Sequence, residues 1–263
     1  MGAPFIAREI DVTDSGANPD TDETLYFNIP EVAATDGDDY LEGNGGSDLM
    51  YGGLGQDDMI GGSSELFGLI TEAMRPDDSD TMFGGAGIDT GRNHIGDATQ
   101  NATSQLITNN ADGNGLDADY MMGDNANVYR LVKSDGSDAF LRYNYDANYA
   151  IRIIPRAMQQ LDYTLGGADY NEGTYTADGQ AQLTGQPADN GKADLIHGES
   201  GDDVIFGMTG SDVLFGDGQD DDIVGGYGHD WISGGTGQDG ILGDDGLVLT
   251  SRNSTAGEPL NGI

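Results

Sequence analysis

An aspartate returns at every ninth residue through the C-terminal part of this chain: Asp194, Asp203, Asp212, Asp221, Asp230 and Asp239 follow one another without a gap. Two residues after each comes an apolar side chain, Ile196, Ile205, Leu214, Ile223, Ile232 and Ile241. Four residues after each comes Gly198, Gly207, Gly216, Gly225, Gly234 and Gly243. The unit is G-G-x-G-x-D-x-(apolar)-x, clearest over residues 234–242. Repetition at a fixed period marks an architecture in which each unit buries its apolar side only by stacking on its neighbours.

The N-terminal half carries the same unit with interruptions. Asp39, Asp48 and Asp57 are nine apart, Asp80 follows after 23, Asp89 after nine and Asp119 after 30. These spacings imply insertions of 14 residues before Asp80 and 21 before Asp119. Leu66 stands where the fourth Asp of an uninterrupted array would fall, and Gly91 replaces the apolar residue after Asp89. Both arrays end alike: Asp119-Tyr-Met-Met-Gly-Asp-Asn-Ala-Asn-Val128 aligns with Asp239-Gly-Ile-Leu-Gly-Asp-Asp-Gly-Leu-Val248.

The residue types dictate the local geometry. Glycines permit the positive φ of a tight turn. The x-(apolar)-x triplet is a short strand whose middle side chain points inward. Turn, strand, turn, strand closes one 18-residue coil, so the Asp of one turn stacks on the Asp 18 residues away. Stacked carboxylates repel unless a hard cation lies between them. Oxygen-only donors from Asp and turn carbonyls suit Ca²⁺, whose six to eight ligands tolerate backbone oxygens. The fold class expected is all-β: two right-handed parallel β-rolls with a small antiparallel β-sheet insertion between them. The predicted metal ligands are Asp39, Asp48, Asp57, Asp80, Asp89, Asp119, Asp194, Asp203, Asp212, Asp221, Asp230 and Asp239. Pairing turns one with three, two with four, three with five and four with six gives eight candidate sites, hence about six to ten Ca²⁺ ions.

The nonapeptide resembles that of the RTX (repeats-in-toxin) calcium-binding proteins. The resemblance implies export through type I secretion machinery as an unfolded chain, and folding by external Ca²⁺. It implies an extracellular or cell-surface location, and a structural module that acts as spacer or presentation scaffold within a larger polypeptide. The alternative is a supporting region of a secreted exoenzyme whose catalytic domain lies outside this chain.

Composition agrees. Acidic residues number 47 against 10 basic, a net charge of −37, and 44 of 263 residues are Gly. That charge repels nucleic acid and anionic membrane surfaces. No run of 18 apolar residues suggests membrane insertion. No signal peptide is expected, since Pro4, Arg8 and Glu9 interrupt the first ten residues. The absence of Cys removes disulfides and thiolate metal sites. Residues 235–240 fit G-x-G-x-x-G, but as a by-product of the nonapeptide with no helix following. Neither H-E-x-x-H nor G-x-S-x-G occurs, His94, His197 and His229 read as isolated surface residues, and no enzyme activity is expected.

Outside the repeats, residues 1–35 read as lead-in strands, 36–125 as the first roll with two insertions, and 191–250 as the second roll. Residues 126–190 read as antiparallel strands and a Gly/Asp-rich linker, and 251–263 as the start of a continuation. Strands are predicted at Val128–Val132, Ala139–Tyr145 and Ala150–Ile154. Five of the ten basic residues lie here: Arg130, Lys133, Arg142, Arg152 and Arg156. The outward position three after each Asp is apolar on even turns (Tyr51, Phe83, Met122, Phe206, Val224, Leu242). On odd turns it is mixed (Glu42, Ile60, Arg92, His197, Phe215, Ser233). The even turns are therefore expected to form a covered face, packed against the 126–165 sheet, the insertions or the other roll.

Overall fold

A computed structural model of the chain describes residues 37–87, 117–137, 139–142, 151–165 and 189–248, together with the backbone of 98–100 and 106–108. The predicted lead-in strands of residues 1–35, Asp89, Arg92, most of the linker at 166–190 and the segment 251–263 lie outside the described residues.

Strands of three to six residues alternate between two parallel sheets. One sheet holds β1 (Tyr40–Glu42), β3 (Asp58–Ile60), β7 (Tyr120–Met122), β11 (Val204–Thr209), β13 (Asp222–Tyr227) and β15 (Gly240–Leu242), adjacent in that order. The other runs β2 (Leu49–Tyr51), β4 (Thr81–Phe83), β10 (Leu195–His197), β12 (Val213–Phe215) and β14 (Trp231–Ser233). The parallel β-roll expected from the nonapeptide is present. The two arrays do not stand apart, however. Strand β7 pairs with β11, Met121 opposite Ile205, and β4 pairs with β10, Met82 opposite Ile196. The arrays stack end to end as one roll, because each array's last coil would otherwise expose a row of backbone groups that the other array can pair.

The middle residue of each triplet faces inward. Met50, Met59, Met82, Met121, Ile196, Ile205, Leu214 and Ile223 form one buried stack, flanked by the partly buried Leu41 and Ile232. After Leu41, the first array uses Met where the second uses Ile or Leu. Flexible thioethers fill an inner stack broken by insertions with less demand on shape.

The turns after Asp39, Asp48, Asp194, Asp203, Asp212, Asp221 and Asp230 bend through left-handed backbone five and seven residues after the Asp, as at Gly226 (φ 102°) and Gly228 (φ 130°). The same two conformations are held by Met208 (φ 73°) and Gln219 (φ 83°), which lack glycine's freedom.

The antiparallel insertion is also present, at shifted boundaries. Strand β8 (Ala126–Arg130) pairs with β9 (Arg156–Gln160), Val128 opposite Met158. Residues 151–154, predicted as strand, are not one. Pro155 has no N–H to give a ladder, so pairing begins after it. Ile153 and Ile154 are instead buried. Within the predicted 139–145 strand, only the bridge Phe140↔Val132 is seen among the described residues. Strands β5 (Ala98–Gln100) and β6 (Leu106–Thr108) form a second antiparallel pair.

This insertion covers one outer face. Ile60, Met122, Phe206 and Val224 on the six-stranded sheet pack in one buried cluster with Ala126, Val128 and Met208, and Met158, Tyr163 and Leu242 join it. The parity rule itself fails. Tyr51 and Phe83 lie on the other sheet, stacked in a row with His197 and Phe215. His197 is buried rather than at the surface, its Nδ1 2.8 Å from Asp217 Oδ2. Even and odd turns exchange sheets between β4 and β7.

That exchange has a physical cause. The counted phase runs through Asp89, but the coil after β4 is closed by Asp119 and β7. A coil led by Asp89 would put Gly91 at the inward position, leaving a hole in a close-packed stack. Met121 fills that position and is fully buried.

Candidate metal centre

The eleven predicted aspartates among the described residues fall in two straight ladders, one on each edge of the roll. In one, the backbone N–H of Asp39 donates to Asp57 Oδ1, Asp57 to Asp119, Asp119 to Asp203, Asp203 to Asp221 and Asp221 to Asp239, at 2.6 to 3.3 Å. In the other, Asp48 donates to Asp80, Asp80 to Asp194, Asp194 to Asp212 and Asp212 to Asp230, at 2.8 to 3.0 Å. Two predicted pairings are therefore corrected. Asp57 faces Asp119, and Asp80 faces Asp194 rather than Asp119; Asp89 lies outside the described residues.

From Asp57 and Asp80 onward each ladder Oδ1 is thus used by the backbone. The second oxygen is not. Oδ2 of Asp48, Asp57, Asp80, Asp119, Asp194, Asp203, Asp212 and Asp221 is buried with no hydrogen-bond partner. A buried carboxylate oxygen without a donor is costly to desolvate.

Opposite each such oxygen stands a carbonyl. A Cβ added to Gly198 would meet Asp203 Oδ2 and, at 2.9 Å, the carbonyl of Gly216 one coil on. The same pair of oxygens, Asp Oδ2 and the next coil's Gly carbonyl, converges over Gly43, Gly52, Gly61, Gly84, Gly123, Gly207, Gly216 and Gly225. That makes nine cradles. The first glycine of each repeat is required because any side chain would fill the space between the two oxygens. Gly234 has Asp239 Oδ2 but no such carbonyl nearby.

Burial pushes Asp57 and Asp80 up to about 7. Asp119, Asp194, Asp203, Asp212 and Asp221 are raised well above the usual carboxylate range, first by burial and then by neighbouring carboxylates, against the downward pull of the backbone N–H. The ladders are therefore unfavourable as bare anions and call for positive charge.

Among the described residues no three Asp, Glu or His side chains converge as a ligand cluster. The donor set is one carboxylate oxygen with backbone carbonyls, which suits a hard cation of flexible coordination and excludes a thiolate or imidazole metal.

Carboxylates outside the ninth position also line the turns, and the phase count did not find them. Asp124, fully buried, accepts from the N–H groups of Lys192 and Thr209. Asp58 is buried and holds two guanidiniums: Arg130 Nε at 2.6 Å and Arg156 Nε at 2.7 Å. The shared exit motif contained Asp124, and the clustering of basic residues in the insertion was the sequence sign of the Arg pair.

A family model described as the RTX calcium-binding nonapeptide repeat matches the chain in four copies, at residues 33–64, 77–90, 189–223 and 215–246. No curated protein sequence and no solved structure matches the chain.

Proposed function

Since the chain carries RTX calcium-binding nonapeptide repeats, we propose that its roll is a non-catalytic module of a larger secreted protein that folds when external Ca²⁺ fills the cradles. One observation carries this reading: a row of buried, unpartnered Asp Oδ2 atoms, each facing a glycine carbonyl of the next coil. Asp48, Asp57, Asp80, Asp119, Asp194, Asp203, Asp212, Asp221 and Asp230 each supply one oxygen to one ion, giving nine ions. Asp39 and Asp239 close the ladders at the ends. The bound ions do no chemistry; they neutralise and cross-link consecutive coils.

Export as an unfolded chain through type I machinery and an extracellular site follow from the same reading. Free Ca²⁺ inside a cell is far below the roughly 10⁻⁴–10⁻³ M affinities of extracellular modules. The rigid roll then spaces and presents the rest of the polypeptide. Among the described residues no helix is long and apolar enough to cross a membrane.

The test is a Ca²⁺ titration followed by calorimetry and far-UV circular dichroism, then chelation. Strand signal that appears with Ca²⁺, disappears with chelator and saturates near nine ions supports the proposal. Two or fewer bound ions, or a strand-rich compact chain in chelator at neutral pH, overturns it.

A further inference from the structure

The roll already contains one end-to-end joint between arrays. The first array ends on β4 and β7, and its exit motif, Asp119 to Val128, carries the chain off the end of the array and onto the outer face, where Ala126 and Val128 are buried. The array that continues the roll does not follow directly in sequence. Its first strand, β10, pairs with β4, and its second, β11, pairs with β7. Two cradles close across this joint: Asp119 Oδ2 with the Gly198 carbonyl over Gly84, and Asp194 Oδ2 with the Gly207 carbonyl over Gly123.

The second array ends on the same motif, Asp239 to Val248. This exit also leaves sideways, since Val248 lies over Gly240 and packs with Leu242 against the outer-face cluster. Among the described residues β14 and β15 are paired on one side only. Ile241, at the inward position, is 45% exposed, whereas Met121, its counterpart at the inner joint, is fully buried. Asp239 Oδ2 stands over Gly234 with no carbonyl opposite, and nothing lies within 4 Å of a Cβ added to Gly243. These two places correspond to the joint cradles over Gly84 and Gly123, each half built.

The N-terminal end of the roll holds the missing halves. Strands β1 and β2 are also paired on one side only, with Leu41 and Met50 at their inward positions. Among the described residues the carbonyls of Gly43 and Gly52 and the carboxylate of Asp39 belong to no cradle. A nine-residue unit in an 18-residue coil relates the two sheets by a half turn about the roll axis. A second copy turned in this way places its β1 on β14 and its β2 on β15, the order already seen at the inner joint. Its Leu41 then meets Ile232 and its Met50 meets Ile241. Its Gly43 carbonyl completes the cradle of Asp239, and its Asp39 and Gly52 carbonyl build the one over Gly243.

We propose that the C-terminal end of the roll binds the N-terminal end of a second copy of this chain, head to tail, through two Ca²⁺ ions shared between the copies. The proposal rests on the Ca²⁺-loaded roll described above. The occupant is a second copy because the two ends of this chain match each other in strand, inward residue, carbonyl and carboxylate. Each added copy leaves one end open, so the contact repeats without closing and the copies form a line. With a net charge of −37 on each chain the copies repel, so the joint requires the cations.

The experiment is sedimentation velocity of the full chain over a range of protein concentrations, in Ca²⁺ that saturates the strand signal and again in chelator. Wild type should form a mass series that grows with concentration in Ca²⁺ and falls to single chains in chelator. Gly243→Ala touches nothing within one copy but fills the shared cradle. It should keep the wild-type strand signal and weaken association by on the order of tenfold. Ile241→Asp should do the same, by setting an acid against the inward stack. The chain has no Cys, so Glu42→Cys and Ser233→Cys, opposite each other across the β1–β14 pair, should yield a covalent dimer on oxidation when mixed in Ca²⁺. Neither variant should do so alone. Wild type that folds with Ca²⁺ and stays a single chain at every concentration overturns this proposal alone and leaves the end to a different chain. Wild type that gains no strand signal with Ca²⁺ overturns the underlying reading as well. Association that Gly243→Ala and Ile241→Asp leave unchanged puts the contact on another surface and also overturns the proposal.

Discussion

At Gly216 an added methyl group would overlap Asp221 Oδ2 and stand 2.6 Å from the Gly234 carbonyl. Gly216→Ala should therefore lose the ion of that cradle and destabilise the Ca²⁺-bound roll by about 1–3 kcal/mol, the usual cost of overpacking. Gly37→Ala, with nothing near its added Cβ, should stay within about 0.5 kcal/mol of wild type; urea denaturation in Ca²⁺ reads both. The raised carboxylates give a pH dependence of definite sign. A group whose pKa is higher in the fold than in the unfolded chain stabilises the fold when protonated, and that stability is lost as pH rises through the folded value. In chelator the strand signal should be greatest below about pH 4, the unfolded Asp range, and decline as Asp57 and Asp80 ionise up to about 7. In saturating Ca²⁺ the order reverses, since the cation needs the anion: the roll should persist at neutral pH and release its ions on acidification. Circular dichroism across pH with and without chelator checks both limbs.

Among the elements, the β8–β9 hairpin is joined to the roll by charge as well as by apolar contact. The Arg156 side chain is fully buried, gives hydrogen bonds to Asp58, the Gln56 carbonyl and the Ile154 carbonyl, and lies 4.8 Å above the Tyr120 ring. Removing one partner of a buried ion pair typically costs about 3–5 kcal/mol, so Arg156→Ala should lower stability in Ca²⁺ by that order. Arg156→Lys should not restore it, because an ammonium cannot fork to three acceptors held in this plane. The insertions themselves are excursions from one continuous coil. Removing residues 88–117 would bring Asp80 and Asp119 nine residues apart, and the joined sequence Gly84-Gly85-Ala86-Gly87-Ala118-Asp119 is an unbroken repeat. That shortened chain should still gain parallel-strand signal on adding Ca²⁺. Failure to fold would mean that residues 88–117 contribute to the roll.

On the scale of the whole molecule, nine doubly charged cations would offset 18 of the 37 net negative charges. Without them the chain should be expanded by self-repulsion. Small-angle scattering should show the radius of gyration falling by about half or more on adding Ca²⁺, between limits of roughly 57 Å for an unfolded chain of this length and 18 Å for a compact one. Much of this was legible from residue order, because a nonapeptide states its own geometry. Glycine allows the turn, the alternate apolar residue faces inward, and the Asp recurs where strand meets turn. Those are local rules, and they specified a parallel β-roll, its inward stack and the eleven described ladder positions. Which coils are neighbours is not local. The phase count paired Asp57 with Asp89, whereas the next coil on that edge is the one led by Asp119, whose Met121 fills the core position. The same choice of neighbours joined two arrays into one roll and exchanged the sheets of even and odd turns. Those outcomes depend on which surfaces bury each other best, and sequence spacing holds no record of it.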